Sequence, residues 1–204
     1  MLDAARRAGV RRVVLGSSAA VYGSGAAVPV SEDSTLVPDS PYGLHKVIGE
    51  QYALLYQRLF GLEAVILRFF NVYGSRQRED SPYVGVITAF TKKLKAKAPV
   101  DIEGDGSQVR DFIHVDDVVQ ALLLAARVEH ASGSVLNIGT GKGTTIRELA
   151  AVLSAEYGVS DDPRFIEARK GDIRTSIADV SRAASVLGWR ATIGLPEGIK
   201  TILV

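Results

Sequence analysis

The sequence predicts an α/β protein, with a doubly wound parallel sheet and a second, smaller α/β lobe. Short apolar segments alternate with longer amphipathic segments along the 204 residues. The short segments are apolar throughout, as are strands of parallel sheets that are covered on both faces. The length suffices for one sizeable domain or for one and a half.

The elements of the first part are a helix end, a strand, a long helix and a second strand, predicted at residues 2–9, 12–16, 42–60 and 64–68. Gly9 and Gly61 each follow a helical pattern, as do glycines that end helices. A loop rich in Ser, Gly and Pro joins the first strand to Pro41. This order predicts the second half of a doubly wound sheet over residues 1–74.

The alternation continues through the second part, residues 75–204. Helices are predicted at 84–96, 116–127, 146–157, 179–187 and from 195 onward, and extended segments at 100–103, 109–114, 135–138 and 164–166. Thr144 or Thr145 is expected to cap the helix at 146. We predict that this part forms a smaller lobe and that residues of about 108–140 return to the first unit.

Composition restricts the function classes. Lys and Arg number 24 against 23 Asp and Glu, so no global field favours nucleic acid or acidic membranes. The chain has no cysteine, which excludes disulfides, thiolate metal sites and cysteine nucleophiles. No apolar stretch reaches the roughly 18 residues of a membrane span, and no signal peptide is recognisable. We therefore expect a cytoplasmic protein without nucleic-acid or membrane partners.

Charge is locally concentrated in one segment only, the basic run at residues 92–97 (Lys-Lys-Leu-Lys-Ala-Lys). This run is typical of a solvated helix face. A polyanion site is the alternative.

Two segments carry candidate catalytic residues. Residues 17–23 (Ser-Ser-Ala-Ala-Val-Tyr-Gly) follow a predicted strand, and residues 40–46 (Ser-Pro-Tyr-Gly-Leu-His-Lys) open the long helix. Tyr42 and Lys46 are four residues apart, so they share one face of that helix. A nearby ammonium stabilises a phenolate and lowers the pKa of a tyrosine from about 10. The Tyr/Lys pair alone is also compatible with a solvated pair that arose by chance.

Together the two segments resemble the extended short-chain dehydrogenase/reductase family, which includes NAD-dependent nucleotide-sugar epimerases and dehydratases. The resemblance implies that Tyr42 accepts the proton of a sugar hydroxyl and that Ser18 hydrogen-bonds the reacting oxygen. It implies that Lys46 holds the nicotinamide ribose and tunes Tyr42. By the same resemblance, Ser17, Tyr42, Lys46 and Phe69 lie beside NAD.

Ala19 and Ala20 distinguish between reactions within the family. Nucleotide-sugar dehydratases place acidic residues directly after the catalytic Ser or Thr, because water elimination needs an additional acid and base. Two alanines cannot transfer protons. The resemblance therefore implies epimerisation of a UDP-glucose or UDP-galactose type of sugar by transient oxidation at C4. A related reductase or dehydrogenase stays open.

Two later segments resemble the substrate-binding motifs of the family. Residues 68–74 (Arg-Phe-Phe-Asn-Val-Tyr-Gly) follow a strand end, where ligands bind in parallel sheets. The resemblance implies that Asn71 donates to the substrate pyrophosphate. Residues 104–117 resemble the substrate-lobe signature, which implies that Arg110 binds the nucleotide phosphates. The planar fork of a guanidinium suits that ligand.

A third segment, residues 169–172 (Arg-Lys-Gly-Asp), resembles a motif in which Arg169 reaches the phosphates and Asp172 contacts the nucleoside ribose. We interpret Tyr22 as structural or as part of a cofactor wall, and His114 as structural. Asp116 and Asp117 open a helix without the further ligands of a metal site, so no metal is predicted. The glycine-rich segment 139–144 fits no phosphate-loop spacing and is interpreted as a packing turn.

The resemblance covers essentially the whole chain, starting at the helix before the strand that precedes Ser18. About 100 residues of the family's fold have no counterpart here, among them the first strands of the sheet and the glycine-rich turn that binds the dinucleotide. The resemblance therefore implies a truncated Rossmann-like domain. We expect this chain alone to bind NAD weakly or not at all. A catalytically inactive unit that still binds nucleotide sugars is therefore an alternative function.

We also expect a homodimer or a higher oligomer. The strand at 12–16 is predicted to lie at a sheet edge, and exposed edges recruit other chains. Relatives pair their subunits through the helix that corresponds to 42–60. Strand pairing at 12–16 and helix packing at 42–60 are the two candidate interfaces.

Overall fold

Most of the chain forms alternating helices and strands, as predicted. The computed structural model describes residues 1–77, 85–160, 162–168 and 171–202. The first elements are helix α1 (Leu2–Arg7), strand β1 (Arg12–Ser18), helix α2 (Pro41–Phe60), strand β2 (Glu63–Phe69) and strand β3 (Asn71–Tyr73). The following elements are α3 (Val86–Lys95), β4 (Asp101–Glu103), β5 (Val109–Arg110), β6 (Phe112–His114), α4 (Val115–Arg127) and β7 (Val135–Ile138). The last are β8 (Thr144–Thr145), α5 (Ile146–Tyr157), β9 (Arg164–Ile166), β10 (Thr175–Ser176), α6 (Ser181–Leu187) and α7 (Leu195–Lys200).

The central sheet is parallel and has the strand order β1–β2–β7. β1 extends beyond its predicted end because Ser17 and Ser18 continue the ladder opposite Arg68 and Phe69. Among the residues that the structure describes, β1 pairs only with β2, so β1 forms an edge of this sheet.

Helices cover both faces of the central sheet. On one face, Ala53 of α2 packs with Leu15 and Ile66. On the other face, Val65 and Leu67 pack with the apolar sides of α4 and α6. Burial on both faces explains why the middle of each strand is apolar, and it confirms the predicted α/β class.

A second core holds the smaller lobe. Helices α3, α5 and α7 pack together through buried apolar side chains, among them Phe90, Leu94, Leu149, Leu153 and Ile199. Short strand pairs flank this core, namely β3 with β6, β4 with β9, and β5 between β10 and β8. The predicted extended segment 109–114 is two strands, because Asp111 interrupts the ladder and turns its buried side chain towards residue 140.

The core of the central sheet also contains residues from late in the chain. Ala183, Leu187 and Trp189 pack there beside α4 and β7. Residues 183–189 therefore also pack in the core of the central sheet, although the predicted returning segment ends at about residue 140. The division at residue 74 stays a prediction.

Asp101 connects three elements of the lobe and gives a pH-dependent contribution to its stability. The hydrogen bond from Arg164 (2.7 Å), followed by that from Lys93, lowers the pKa of Asp101 from 3.8 to about 2. Because the pKa is lower in the folded state, this contribution is present above about pH 4 and is lost as pH falls towards 2. The three side chains are partly exposed, so the contribution is small.

We expect Asp101→Asn to lower the free energy of unfolding by up to about 1 kcal/mol at pH 6. The difference from the unchanged protein should shrink as pH falls from 4 to 2. Urea unfolding at a series of pH values measures this. Asp162→Asn, at an exposed position, is the control and should show no such trend; an Asp101→Asn deficit that is constant with pH would contradict the interpretation.

Candidate functional site

The carboxyl ends of β1 and β2 and the beginning of α2 meet at one place. Ser18 ends β1, and its hydroxyl caps a short 3₁₀ helix, Ala19–Val21, by accepting from the Ala20 amide at 3.2 Å. This cap fixes the turn that follows the strand. It holds the Ser18 hydroxyl at the edge of the sheet where ligands of α/β proteins bind.

Helix α2 begins directly against this turn. Ser40 caps the helix by accepting from the Gly43 amide at 3.1 Å, and Pro41 occupies the first turn. Gly43 is required by close approach, since a Cβ there would lie 2.5 Å from the carbonyl oxygen of Ala20. The helix thereby places Tyr42 beside Ser18.

Lys46 lies one turn further along α2 and faces Tyr42. Its ammonium is 5.5 Å from the centre of the Tyr42 ring and donates to the carbonyl oxygen of Gly16 at 2.9 Å. The predicted shared face of Tyr42 and Lys46 is thus present. The bond to Gly16 ties the lysine to the strand that carries Ser18.

Three adjoining pockets connect the predicted site residues. The first, of about 460 Å³, is lined by Ser18, Tyr42 and Asn71. The second, of about 190 Å³, is lined by Ser18, Asn71 and Arg110. The third, of about 270 Å³, is lined by Asn71, Arg110 and Asp172. Asn71 lines all three, so the pockets adjoin one another, and we call the row that they form from Tyr42 to Asp172 the cleft.

Arg110 and Asp172 form an ion pair at the far end of this cleft. The guanidinium donates to the Asp172 carboxylate at 2.6 Å and to the Val109 carbonyl at 2.9 Å. Burial lowers the pKa of Arg110, against the opposing effect of Asp172. The two residues, predicted separately as substrate ligands, are thus adjacent.

The cleft does not include every predicted residue. Ser17 is buried, and its hydroxyl donates to Glu50 in the protein interior, so this side chain does not line the pockets that hold Ser18. Its predicted place beside the cofactor stays a prediction. Phe69 lines the second pocket, and its ring packs against Gly16, where a Cβ would lie 3.0 Å from Cε2. Arg169 lies outside the described residues.

A buried ion pair behind the cleft was not predicted. Arg68 donates to both carboxylate oxygens of Glu50, at 3.0 and 2.7 Å, and to the Tyr22 hydroxyl at 2.9 Å. The Tyr22 hydroxyl donates to Asn137 at 2.6 Å, and burial raises the pKa of Tyr22. Two signals could have revealed the pair. Glu50 continues the i, i+4 series from Lys46, and Arg68 is the one charge in the predicted strand 64–68.

A second buried carboxylate holds the glycine-rich turn. Asp111 accepts from the Thr140 amide (2.8 Å), the Thr140 hydroxyl (2.6 Å), the Gly141 amide (2.9 Å) and the Ala178 amide (3.2 Å). The amides of this turn therefore bind a side chain of the protein, which agrees with its interpretation as a packing turn. His114 is also buried and caps α4 by accepting from the Asp116 amide.

The described part of the chain contains no group of three or more His, Asp or Glu side chains placed to hold a metal ion. Within the same residues, no helix combines the length and apolar character that crossing a membrane requires.

Comparisons with known proteins agree on one family. Residues 1–139 match the model of the NAD dependent epimerase/dehydratase family. A putative UDP-glucose 4-epimerase of Methanocaldococcus jannaschii is 41% identical over 205 residues, covering 100% of this chain and 65% of the relative. The chain therefore spans less than two thirds of the length of the archaeal protein.

Solved structures give the same result. UDP-glucose 4-epimerase of Thermotoga maritima, solved with UDP-glucose, superposes with a TM-score of 0.94 at 38% identity, covering 99% of this chain and 65% of that one. MoeE5, solved with UDP-glucuronic acid and NAD, gives a TM-score of 0.87 at 42% identity, covering 99% and 67%.

Proposed function

Because the chain belongs to the NAD dependent epimerase/dehydratase family, we propose that it carries the catalytic residues and the nucleotide-sugar site of a UDP-sugar 4-epimerase. One observation carries the proposal, namely the cleft of three adjoining pockets from Tyr42 past Asn71 to Arg110 and Asp172. Its two ends offer different chemistry, with a phenol and a hydroxyl at one end and an ion pair at the other.

The end at Arg110 suits the nucleoside diphosphate. A guanidinium can replace one carboxylate partner by two phosphate oxygens, since its donors form a planar fork. In this proposal the pyrophosphate takes donors from Arg110 and Asn71, and Asp172 is released to accept from a ribose hydroxyl. The apolar side chains of Val86, Phe90 and Ile146 line the same pocket and would pack on the base.

The end at Tyr42 suits the sugar. Tyr42 would take the proton of the C4 hydroxyl, and Ser18 would hydrogen-bond the same oxygen, so that the developing carbonyl is held by two groups. Lys46, tied to Gly16, would keep a positive charge beside the phenolate. Ala19 and Ala20 line the neighbouring pocket and offer no proton-transfer group, which favours epimerisation over dehydration.

The residues present fit the nicotinamide end of NAD, because Tyr42 and Ser18 line one pocket, the Lys46 ammonium lies 5.5 Å from the Tyr42 ring, and Phe69 lines the adjoining pocket. Lys46 and Tyr42 would hold the ribose next to the nicotinamide. When bound, NAD would supply the hydride acceptor and donor that reversible oxidation at C4 requires. That this chain alone binds NAD weakly stays a prediction; micromolar affinity in calorimetry would contradict it.

UDP binding tests the nucleotide end of the cleft. We expect Arg110→Ala to weaken UDP binding by about tenfold or more, because charge-assisted hydrogen bonds contribute about 1.5–3 kcal/mol. Raising the ionic strength should weaken binding to the unchanged protein. Calorimetry or NMR titration of the 204-residue chain measures both effects.

Arg127→Ala is the matched control for this prediction, since Arg127 is exposed at the end of α4. Equal UDP affinity in the two variants would contradict the site. UDP binding without conversion of UDP-galactose in the presence of NAD would favour a nucleotide-sugar-binding unit without activity. Conversion that Tyr42→Phe abolishes would support the epimerase, and a product oxidised or reduced at C4 would indicate the related dehydrogenase or reductase.

We also propose that the chain self-associates through the outer face of α2. Ile48 and Tyr52 are 44% and 55% exposed. Together with Val47 and Leu55 they line an open apolar groove of about 510 Å³. Contiguous exposed apolar surface of this kind marks protein interfaces.

We expect the double variant Ile48→Glu, Tyr52→Glu to raise the dimer dissociation constant by about a hundredfold, because two apolar anchors are replaced by like charges. Sedimentation equilibrium measures this. Leu123→Glu, an exposed apolar position on α4, is the control. A dimer that survives the double variant would indicate strand pairing at β1 instead, and a monomeric unchanged protein would contradict both interfaces.

A further inference from the structure

A small polar pocket adjoins the sugar end of the cleft, with which it shares Gln77 and Ile87. It has a volume of about 150 Å³ between the segment that follows β3, the helix α3 and the end of α7. Its polar lining consists of Ser75, Arg76, Gln77, Thr88, Thr91, Lys95 and Thr201. Neither Asn71 nor Arg110 lines it, so it is distinct from the nucleotide end of the cleft.

Two cations line the pocket, and the described residues give neither of them an acidic partner. Arg76 and Lys95 form no ion pair within the described residues, and no described Asp or Glu lines the pocket. Lys95 belongs to the basic run at 92–97, which was predicted as a solvated face. Of the four lysines in that run, Lys95 lines the pocket. Lys93 binds Asp101 instead.

Two uncharged side chains of the lining, Thr91 and Gln77, can offer a hydrogen-bond donor to a ligand. Thr91 is only 6% exposed, and its hydroxyl has no hydrogen-bond partner in the described part of the chain. An unpartnered buried hydroxyl calls for a ligand or a water. Thr88 donates to the side-chain oxygen of Gln77 at 2.9 Å, which leaves the amide nitrogen of Gln77 as a donor.

The backbone at Arg76 is also unusual. Its φ is +64°, in the left-handed region that non-glycine residues rarely adopt. Such conformations cluster at ligand sites, where the surroundings hold them in place. Here the conformation belongs to one of the two cations of the pocket.

We propose that this pocket binds a compact oxyanion, either inorganic phosphate or the phosphate group of a small phosphomonoester. Two cations, an amide and a hydroxyl match an anion that accepts several hydrogen bonds at once. A volume of 150 Å³ admits such a group and lies below the roughly 300 Å³ of pockets for larger ligands. Gln77 and Ile87 also line the pocket that holds Ser18 and Tyr42, so the anion would lie next to the sugar end of the cleft.

Titration of the isotope-labelled 204-residue chain with inorganic phosphate at constant ionic strength tests the proposal by NMR. We expect saturable shifts of the amides of Gln77, Thr88, Thr91 and Lys95. Lys95→Gln should raise the dissociation constant by about fivefold or more, because a charge-assisted hydrogen bond is lost. Lys92→Gln, on the exposed side of the same helix, should leave it unchanged.

Thr91→Val separates a ligand site from a packing role. The valine is nearly isosteric and removes the unpartnered hydroxyl, so thermal stability should stay equal or rise while phosphate affinity falls. A parallel titration with glucose 1-phosphate distinguishes the source of the anion, since tighter binding than phosphate indicates a phosphomonoester and equal binding indicates the free ion.

Two results would overturn the proposal. One is the absence of saturable shifts at these amides, which would assign a water to the Thr91 hydroxyl. The other is a phosphate response that Arg110→Ala abolishes and Lys95→Gln does not change, which would move the anion to the nucleotide end of the cleft. The proposal does not depend on the epimerase assignment, because UDP binding and phosphate binding are measured with separate variants.

Discussion

Replacing Glu50 with glutamine is expected to lower the free energy of unfolding by about 3–5 kcal/mol, the range for breaking a buried ion pair from one side. Glu50 and Arg68 are 1% and 4% exposed. The substitution keeps the shape of the side chain and removes the charge. The guanidinium of Arg68 would then remain buried without a counter-charge.

Urea unfolding at pH 7 measures this loss. Glu129→Gln, the same substitution at an exposed position, is the control and should change stability by less than about 0.5 kcal/mol. The double variant Glu50→Leu, Arg68→Met should recover part of the loss, because an apolar pair leaves no buried charge. A Glu50→Gln loss below about 1 kcal/mol would show that the carboxylate does not balance the guanidinium.

The second large effect is expected at Asp111. Asp111→Asn should destabilise the chain by about 3 kcal/mol or more, because a buried carboxylate that accepts several hydrogen bonds is replaced by an amide with one acceptor. The amides of Thr140, Gly141 and Ala178 would then compete for one oxygen or meet an NH₂ group.

Unfolding by urea gives the global loss, and hydrogen exchange gives its location. The Thr140 and Gly141 amides should exchange faster by about tenfold or more, beyond the change seen in the amides of β2. Asp116→Asn, at a side chain that is 67% exposed, should cost less than about 1 kcal/mol. Unchanged exchange at residues 140 and 141 would mean that other contacts hold the turn.

Local patterns were sufficient for most of the fold. The strand at 135–138 and the helix at 146–157 have their predicted bounds because apolar periodicity and caps lie within each segment. The i, i+4 spacing of Tyr42 and Lys46 likewise placed them on one face. These signals are local, so they can be read without knowing the tertiary contacts.

Long-range side-chain pairing could not be read in the same way. Glu50 and Arg68 are 18 residues apart and Arg110 and Asp172 are 62 apart, and only the packing of separate elements brings each pair together. The resemblance to a family named Arg110 and Asp172 as substrate ligands, but it did not reveal their mutual ion pair. The inward turn of Asp111 depends on the approach of the loop at 140, which the sequence of 109–114 does not encode by itself.

The strand order β1–β2–β7 determines when the protein can fold during its synthesis. β2 is complete once residue 69 has been made, but its second partner ends at residue 138 and the helix α6, which covers that partner, ends at residue 187. In the interval, Val65 and Leu67 of the nascent chain have no helix α6 to cover them, and the open side of β2 has no strand to pair with. Contacts between distant segments fold slowly and expose apolar surface meanwhile. Chaperone binding to ribosome-bound chains should therefore be strongest after residue 69 and before residue 187 have been made.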